Sequence, residues 1–410
     1  MSDQAAPPAD RFGPVLAGVM AALVGFASSF AVVLAGLQAV GASSAQAASG
    51  LLALCIAQAL GILWLTRRHR TPLMLAWSTP GAALLVSSGV PDGGWKAAVG
   101  AFLVVGALIL LTALWPRLGD LIAAIPTPIA QAMLAGVLLS ICLEPVQVLV
   151  DRPWQVAPVL VVWVVLLRWA PRLAVPGAFL ATMVVVTVYL VDHGAGHLSL
   201  APHLVWTAPA LSWQAVIGIA VPLYVVTMAS QNVPGVAVLA TFGYQVPWRE
   251  TMTVTGLGTV GSAMVGGHAV NLAAITAAMV ASPEADPDRD RRWIAANSAG
   301  WSYLVLAAVS TALVGVVAAA PHGLVEVVAG LALLGTLGGA LKGATEADAG
   351  REAAVVTFVV AASGVAFGGI GAAFWALAAG LVVHLVLVGG RRGGREAGRG
   401  GSRDPDSSAG

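Results

Sequence analysis

The sequence predicts an all-α polytopic membrane protein of fourteen transmembrane segments, arranged as two inverted repeats of seven. Three observations predict it. Of 410 residues, 58% are apolar and only 10% are charged, against about 25% charged in a soluble domain. The apolar runs are continuous, and many reach the ~20 residues that a spanning helix needs. When the runs are threaded alternately through a bilayer with the N-terminus inside, eighteen of the twenty basic residues fall on the cytoplasmic side, the positive-inside pattern.

This composition excludes other classes. It leaves too little polar surface to cover a soluble enzyme. The net charge of +1 and the lack of a basic face exclude a nucleic-acid partner. A β-barrel would alternate apolar and polar residues, which these runs do not. Cys55 and Cys142 each lie inside an apolar run, so no disulfide framework is implied. No Walker motif, zinc-spacing cluster or hydrolase elbow is present, so no cofactor, metal or catalytic residue is expected. Active transport would then be secondary, driven by an ion gradient.

Residues 1–13 read as a cytoplasmic N-terminus without the basic region of a signal peptide. The first repeat, 14–191, holds runs at 14–40, 43–66, a broken 72–89, 94–115, 121–146, 154–170 and 173–191. A more polar extracytoplasmic linker, 192–212, follows. The second repeat, 213–389, holds runs at 213–240, 248–265, a broken 266–281, 293–319, 321–341, 352–369 and 371–389. Residues 390–410, rich in Gly, Arg and Ser, read as a disordered basic cytoplasmic tail. An odd number of crossings per half gives the halves opposite topology.

The third run of each half is short and interrupted, which in transporters points to the binding site. In PLMLAWSTPGAALLVSSG (72–89), Ser78 or Thr79 suits an N-cap, and Pro80 and Gly81 suit a first helical turn. A helix that starts in mid-membrane presents free N–H groups and a positive dipole end to an anion. A packed proline kink would read the same way. In GGHAVNLAAITAAMVA (266–281), residues 268–270 read as a short strand, Asn271 as a possible N-cap, and the helix that follows includes Thr276. Two opposed helix starts facing one cavity suit a small carboxylate, and neither segment contains Asp or Glu.

Ser230, Gln231 and Asn232 place adjacent polar groups inside the eighth run, where they need partners. They can bind substrate, order the broken helix, or bond between helices. Gln38 has the same ambiguity. The ionisable groups within the runs are few: Glu144 and Glu326 near expected outer ends, His268 beside the second break, and His384 in the last run. Such groups are functional candidates, and His268, Glu144 and Glu326 are the candidates for proton coupling. The glycine pattern Gly256, Gly258, Gly261 matches a dinucleotide fingerprint but lies inside an apolar run without the strand that motif needs. Close helix packing explains it better.

At these residues the sequence resembles the benzoate/proton symporter family (BenE type). WSTPGAALL (77–85), MASQNVPGVAVLA (228–240), GHAVNLAAITAA (267–278), SPEADPD (282–288), REAAVVTFVVAASGV (351–365) and GIGAAFWALAAGL (369–381) carry the likeness, in order over about 12–390. The resemblance implies a carrier of the bacterial inner membrane that imports benzoate with a proton. More distantly it implies the 7+7 fold of the uracil/xanthine permeases. In that fold segments 1–4 and 8–11 form a core domain, segments 5–7 and 12–14 form a gate domain, and homodimers are common. Substrate would bind at Ser78, Thr79, Pro80, Gly81, Gln231, Asn232, Asn271, Thr276 and Gln38. Uracil-type permeases carry glutamates in segments 8 and 10, where this chain has neutral residues, which fits an anionic substrate. An uncoupled facilitator, or a carrier of another small anion, remains open on the same fold.

Overall fold

A computed structural model describes residues 12–115, 117–118, 124–193, 203–318, 321, 323–346, 350–368 and 370–399. Among them, eight helices are long and apolar enough to cross a membrane, and Pro153–Trp169 and Ala372–Leu387 are shorter apolar helices. The first half contains α1 (Gly13–Ala27), α2 (Phe30–Ala39), α3 (Ser44–His69), β1 (Leu75–Trp77), α4 (Thr79–Ser88), α5 (Gly94–Leu114), α6 (Thr127–Asp151), α7 (Pro153–Trp169) and α8 (Ala174–His193). The second half contains α9 (Trp213–Thr241), α10 (Trp248–Ala263), β2 (Val270–Leu272), α11 (Ile275–Ala281), α12 (Trp293–Ala318), α13 (Leu324–Thr345), α14 (Arg351–Ala362) and α15 (Ala372–Arg399).

Three features depart from the sequence reading. The run 14–40 is two helices, because Ser28 and Ser29 both donate their hydroxyls to the Gly25 carbonyl, at 3.1 and 2.9 Å, and such back-bonding bends a helix. The span α9 contains π-helical turns at Val216–Ala220 and Met228–Asn232, and the second of these holds the polar triplet. Residues 390–399, expected to be disordered, continue α15. Residues 1–11 of the N-terminus, 194–202 of the linker and 400–410 of the tail lie outside the described residues.

β1 and β2 pair antiparallel with Leu75 opposite Leu272, Ala76 opposite Asn271 and Trp77 opposite Val270. Bonds from the Ser78 N–H to the Ala269 carbonyl (3.1 Å) and from the Ala273 N–H to the Met74 carbonyl (2.8 Å) extend the ladder. This two-stranded ribbon satisfies the backbone of both interrupted segments, as irregular backbone at membrane depth requires. Around it α3 packs on α12, α1 on α12, α2 on α4, and α5 on α10. Elsewhere α6 packs on α13 and α14, and α14 on α15. A methyl group at Gly36 would overlap the Ala82 backbone, so glycine is what lets α2 lie against α4. Of the fingerprint-like glycines, Gly256 acts likewise against Leu110 of α5. A methyl group at Gly258 would make ordinary contact with Ala57 of α3, and one at Gly261 would meet nothing within 4 Å among the described residues, so close packing accounts for Gly256 and not for the whole pattern.

Charged groups collect at one end of α3, α10 and α12. Glu250 accepts from His69 at 2.8 Å and Trp64 at 3.1 Å and pairs with Arg68. Arg70 lies over the Trp293 ring at 4.2 Å and Arg67 over Trp301 at 5.6 Å. Arg292 is buried and donates to the Ala281 carbonyl at 2.9 Å and the Asp286 carbonyl at 2.7 Å. Its charge therefore sits at the C-terminus of α11, where the helix dipole favours a cation.

Candidate functional site

The first half-helix starts as the sequence suggests. Ser78 is the N-cap of α4, and its Oγ accepts from the Gly81 N–H at 3.1 Å. Its carbonyl accepts from the Ala82 N–H at 2.8 Å and from His268 Nε2 at 2.9 Å. Thr227 Oγ1 donates to Ser78 Oγ at 2.8 Å. Ser78 is fully buried and committed to holding the turn, while Thr79 and Pro80 face a cavity.

The second half-helix corrects the expectation. The strand is Val270–Leu272 rather than 268–270, and α11 begins at Ile275 with Ala274, not Asn271, in the cap position. The cause is tertiary. Asn271 is held in register opposite Ala76, and the next N–H, that of Leu272, is claimed by Asn232 Oδ1 at 2.8 Å. Asn271 Nδ2 donates to the Leu272 carbonyl at 2.9 Å, and its Oδ1 is buried without a partner among the described residues. Ala273 and Ala274 then make the corner. No side chain caps α11, so its first-turn N–H groups open towards the cavity that Ala273, Ala274, Ile275 and Thr276 line.

The cavity has a volume of about 510 Å3. Gly25, Ser28 and Ser29 line it at the break between α1 and α2; Trp77, Thr79 and Pro80 line it from the first broken segment; Ser230, Gln231 and Pro234 line it from α9. Tyr303 of α12 completes that wall. Opposite stand Gln131 and Leu134 of α6, Val175 and Pro176 of α8, and Ala332, Leu333, Gly335, Thr336, Gly339 and Ala340 of α13. None of these lining residues is charged. Polarity comes from helix starts, hydroxyls and the amides of Gln231 and Gln131. Thr276 is 7% exposed, and its Oγ1 has no partner among the described residues.

An aromatic cluster stands behind one wall. Trp77 meets Tyr303 edge-on at 6.3 Å and Phe26 at 5.7 Å, and Phe30 stacks on Phe26 at 5.4 Å. Trp77 Nε1 donates to Ser29 Oγ at 2.9 Å, which leaves the indole face for apolar contact while its polar edge is satisfied.

The sites expected from sequence separate into residues that line the cavity, residues buried behind it and residues away from it. Thr79, Pro80, Gln231 and Thr276 line the cavity. Ser78, Gly81, Asn232 and Asn271 are buried behind it and hold the broken segments in place. Gln38 is exposed near the end of α2 and is not in the lining. His268 is fully buried against Ser78, with Phe102 edge-on at 6.4 Å, and its Nδ1 has no partner among the described residues. Glu144 and Glu326 are half-buried on α6 and α13, outside the lining. Sequence reasoning missed Gly25, Ser28 and Ser29, Tyr303, Gln131 and Thr336. Adjacent serines inside the first apolar run were the one local signal among these.

The family model described as benzoate membrane transport protein matches residues 10–386. The chain is 40% identical over 374 residues to the inner membrane protein YdcO of Escherichia coli (strain K12), covering 91% of this chain and 95% of that protein. It is 28% identical over 379 residues to the benzoate membrane transport protein of Acinetobacter baylyi, covering 91% and 94%. Its fold is similar to the transmembrane domain of the cyanobacterial bicarbonate transporter BicA, with a TM-score of 0.57 and 16% identity over 91% of this chain and 99% of that one. It is also similar to murine Slc26a9, an anion transporter in the inward-facing state, with a TM-score of 0.54 and 14% identity over 94% and 69%. With the match running over nearly its whole length, this multi-pass membrane chain belongs to the benzoate membrane transport protein family.

Proposed function

We propose that the protein is a secondary transporter that imports benzoate, or a close aromatic carboxylate, together with protons. The observation that carries this reading is the uncharged cavity between the starts of α4 and α11. It offers hydrogen-bond donors and no fixed negative charge at one place, and aromatic and small apolar surface beside it. The carboxylate is held by the first-turn N–H groups of α11, the Thr276 and Thr79 hydroxyls and the Gln231 amide. The ring lies against Trp77 and Tyr303. The names of the relatives support a carboxylate substrate, and the similar folds are those of anion transporters.

In this reading the chain makes fourteen crossings as 7+7 inverted repeats, with β1–α4 and β2–α11 as segments 3 and 10. Segments 1–4 and 8–11 form the core domain, and segments 5–7 and 12–14 form the gate. The gate rocks against the core to expose the site alternately to either side. The protein sits in the bacterial inner membrane with both termini cytoplasmic and pairs as a homodimer. Of His268, Glu144 and Glu326, His268 is the proton acceptor this reading favours. Bonded to a carbonyl, its Nε2 carries the hydrogen, so Nδ1 is free to take a proton without breaking that bond. The resulting cation lies directly behind the Ser78 turn that starts α4.

The test is uptake of labelled benzoate into proteoliposomes with and without an imposed proton gradient, acidic outside. Saturable uptake that the gradient accelerates is expected. Uptake indifferent to the gradient would make the protein a facilitator, and no saturable uptake in either condition would overturn the carrier reading.

A further inference from the structure

Glycine serves opposite purposes on the two walls of the cavity. On the α1 wall, a methyl group at Gly25 would sit 2.6 Å from the Tyr303 hydroxyl and 3.1 Å from the Thr276 methyl. Neighbours press on that glycine, and packing explains it. On α13, Gly335 and Gly339 also line the cavity, yet a methyl group on either would meet nothing within 4 Å among the described residues. Packing gives no reason for glycine in the middle of this helix, where it is a poor helix former. What a side chain would fill there is cavity space. Thr276 lines the same cavity, nine-tenths buried, with its hydroxyl unpartnered among the described residues. The cavity volume of about 510 Å3 lies within the ~300–1,000 Å3 range of sites that enclose drug-sized ligands. A single-ring acid leaves part of it empty.

We propose that Gly335 and Gly339 set the upper size of the acid that the site accepts, leaving room on the α13 wall for a fused two-ring carboxylate. The proposal rests on the carboxylate-binding reading above. An acid whose carboxylate is anchored at Thr276 and the half-helix starts directs its ring system away from them, across the cavity. The α13 glycines are the part of the far wall that carries no side chain.

The experiment compares binding of benzoate and 2-naphthoate to the purified wild-type protein and to Gly339→Leu, Gly339→Ala and Gly338→Leu, with a thermal melt on each. Gly338 is the control: a methyl group there also meets nothing within 4 Å among the described residues, but it is not in the lining. The wild type is expected to bind both acids. Gly339→Leu is expected to lose about tenfold or more in 2-naphthoate affinity while benzoate changes by less than about threefold, since one misplaced aliphatic group discriminates on that scale. Gly339→Ala is expected to show a smaller loss of the same kind, and Gly338→Leu none. If Gly339→Leu does not fold, the alanine variant decides, and a wild-type ratio of the two affinities overturns the proposal. It is also overturned if the wild type binds benzoate but not 2-naphthoate, if Gly339→Leu loses both acids equally, or if Gly338→Leu shows the same selectivity loss. A wild type that binds neither acid brings down the carboxylate reading itself.

Discussion

Asn232→Ala is expected to abolish benzoate binding and to lower the melting temperature, although Asn232 does not line the cavity. Its Oδ1 is the partner of the Leu272 N–H at 2.8 Å, and both groups are fully buried. Alanine strands that N–H away from water, a loss of about 1–3 kcal/mol for a buried donor. The site suffers more than this figure conveys. The bond ties β2 to the π turn of α9, and β2 leads directly into the Ala273–Ala274 corner that aims α11. Freed from α9, the start of α11 no longer has a fixed place opposite α4. Thermal melting with and without benzoate checks this: the expected variant melts lower and gains nothing from the ligand. A variant that melts and binds like the wild type would show that the Asn232 bond does not position the half-helix.

Thr276→Val is expected to do the reverse, weakening binding while leaving the fold intact. The hydroxyl is buried and bonds to nothing among the described residues, so replacing it with a methyl group of similar shape removes no protein contact. A hydrogen bond to a charged group contributes about 1.5–3 kcal/mol, so the dissociation constant for benzoate should rise about ten- to a hundredfold. The melting temperature should hold or rise, because an unsatisfied buried hydroxyl has been removed. Thr276→Ser should keep near-native affinity. Equilibrium binding of labelled benzoate to the three proteins is the check. Equal affinities for wild type and Thr276→Val would place the carboxylate elsewhere.

The sequence announced the cavity more clearly than its lining. Interrupted apolar runs and the order Ser78, Thr79, Pro80, Gly81 are local signals, and local physics governs a helix start, so the α4 cap was legible. The α11 start was not. Asn271 has the chemistry of a cap, but pairing with Ala76 and the Asn232–Leu272 bond pull it into a strand. Both partners are remote in sequence, and nothing within 266–281 encodes them. Tyr303, Gln131 and Thr336 were invisible for a related reason. They lie on long apolar helices where every face meets either protein or lipid, and only the tertiary arrangement selects the face that meets the cavity. Gln38 failed in the opposite sense: it is polar within a span, yet Gly25, Ser28 and Ser29 at the helix break line the cavity. His268 sits beside its broken segment, as the sequence suggested, but behind the turn rather than in the cavity.

The most direct test of where the substrate sits is a crystal structure with 4-iodobenzoate, whose iodine marks the ring end of the acid by anomalous scattering. The expected iodine peak lies inside the cavity, past Trp77 and Tyr303 and short of the α13 wall, with the carboxylate at the starts of α4 and α11. A peak absent from that cavity and present in the apolar groove between α3 and α10, lined by Leu60, Trp64 and Leu257, would contradict the site assigned here.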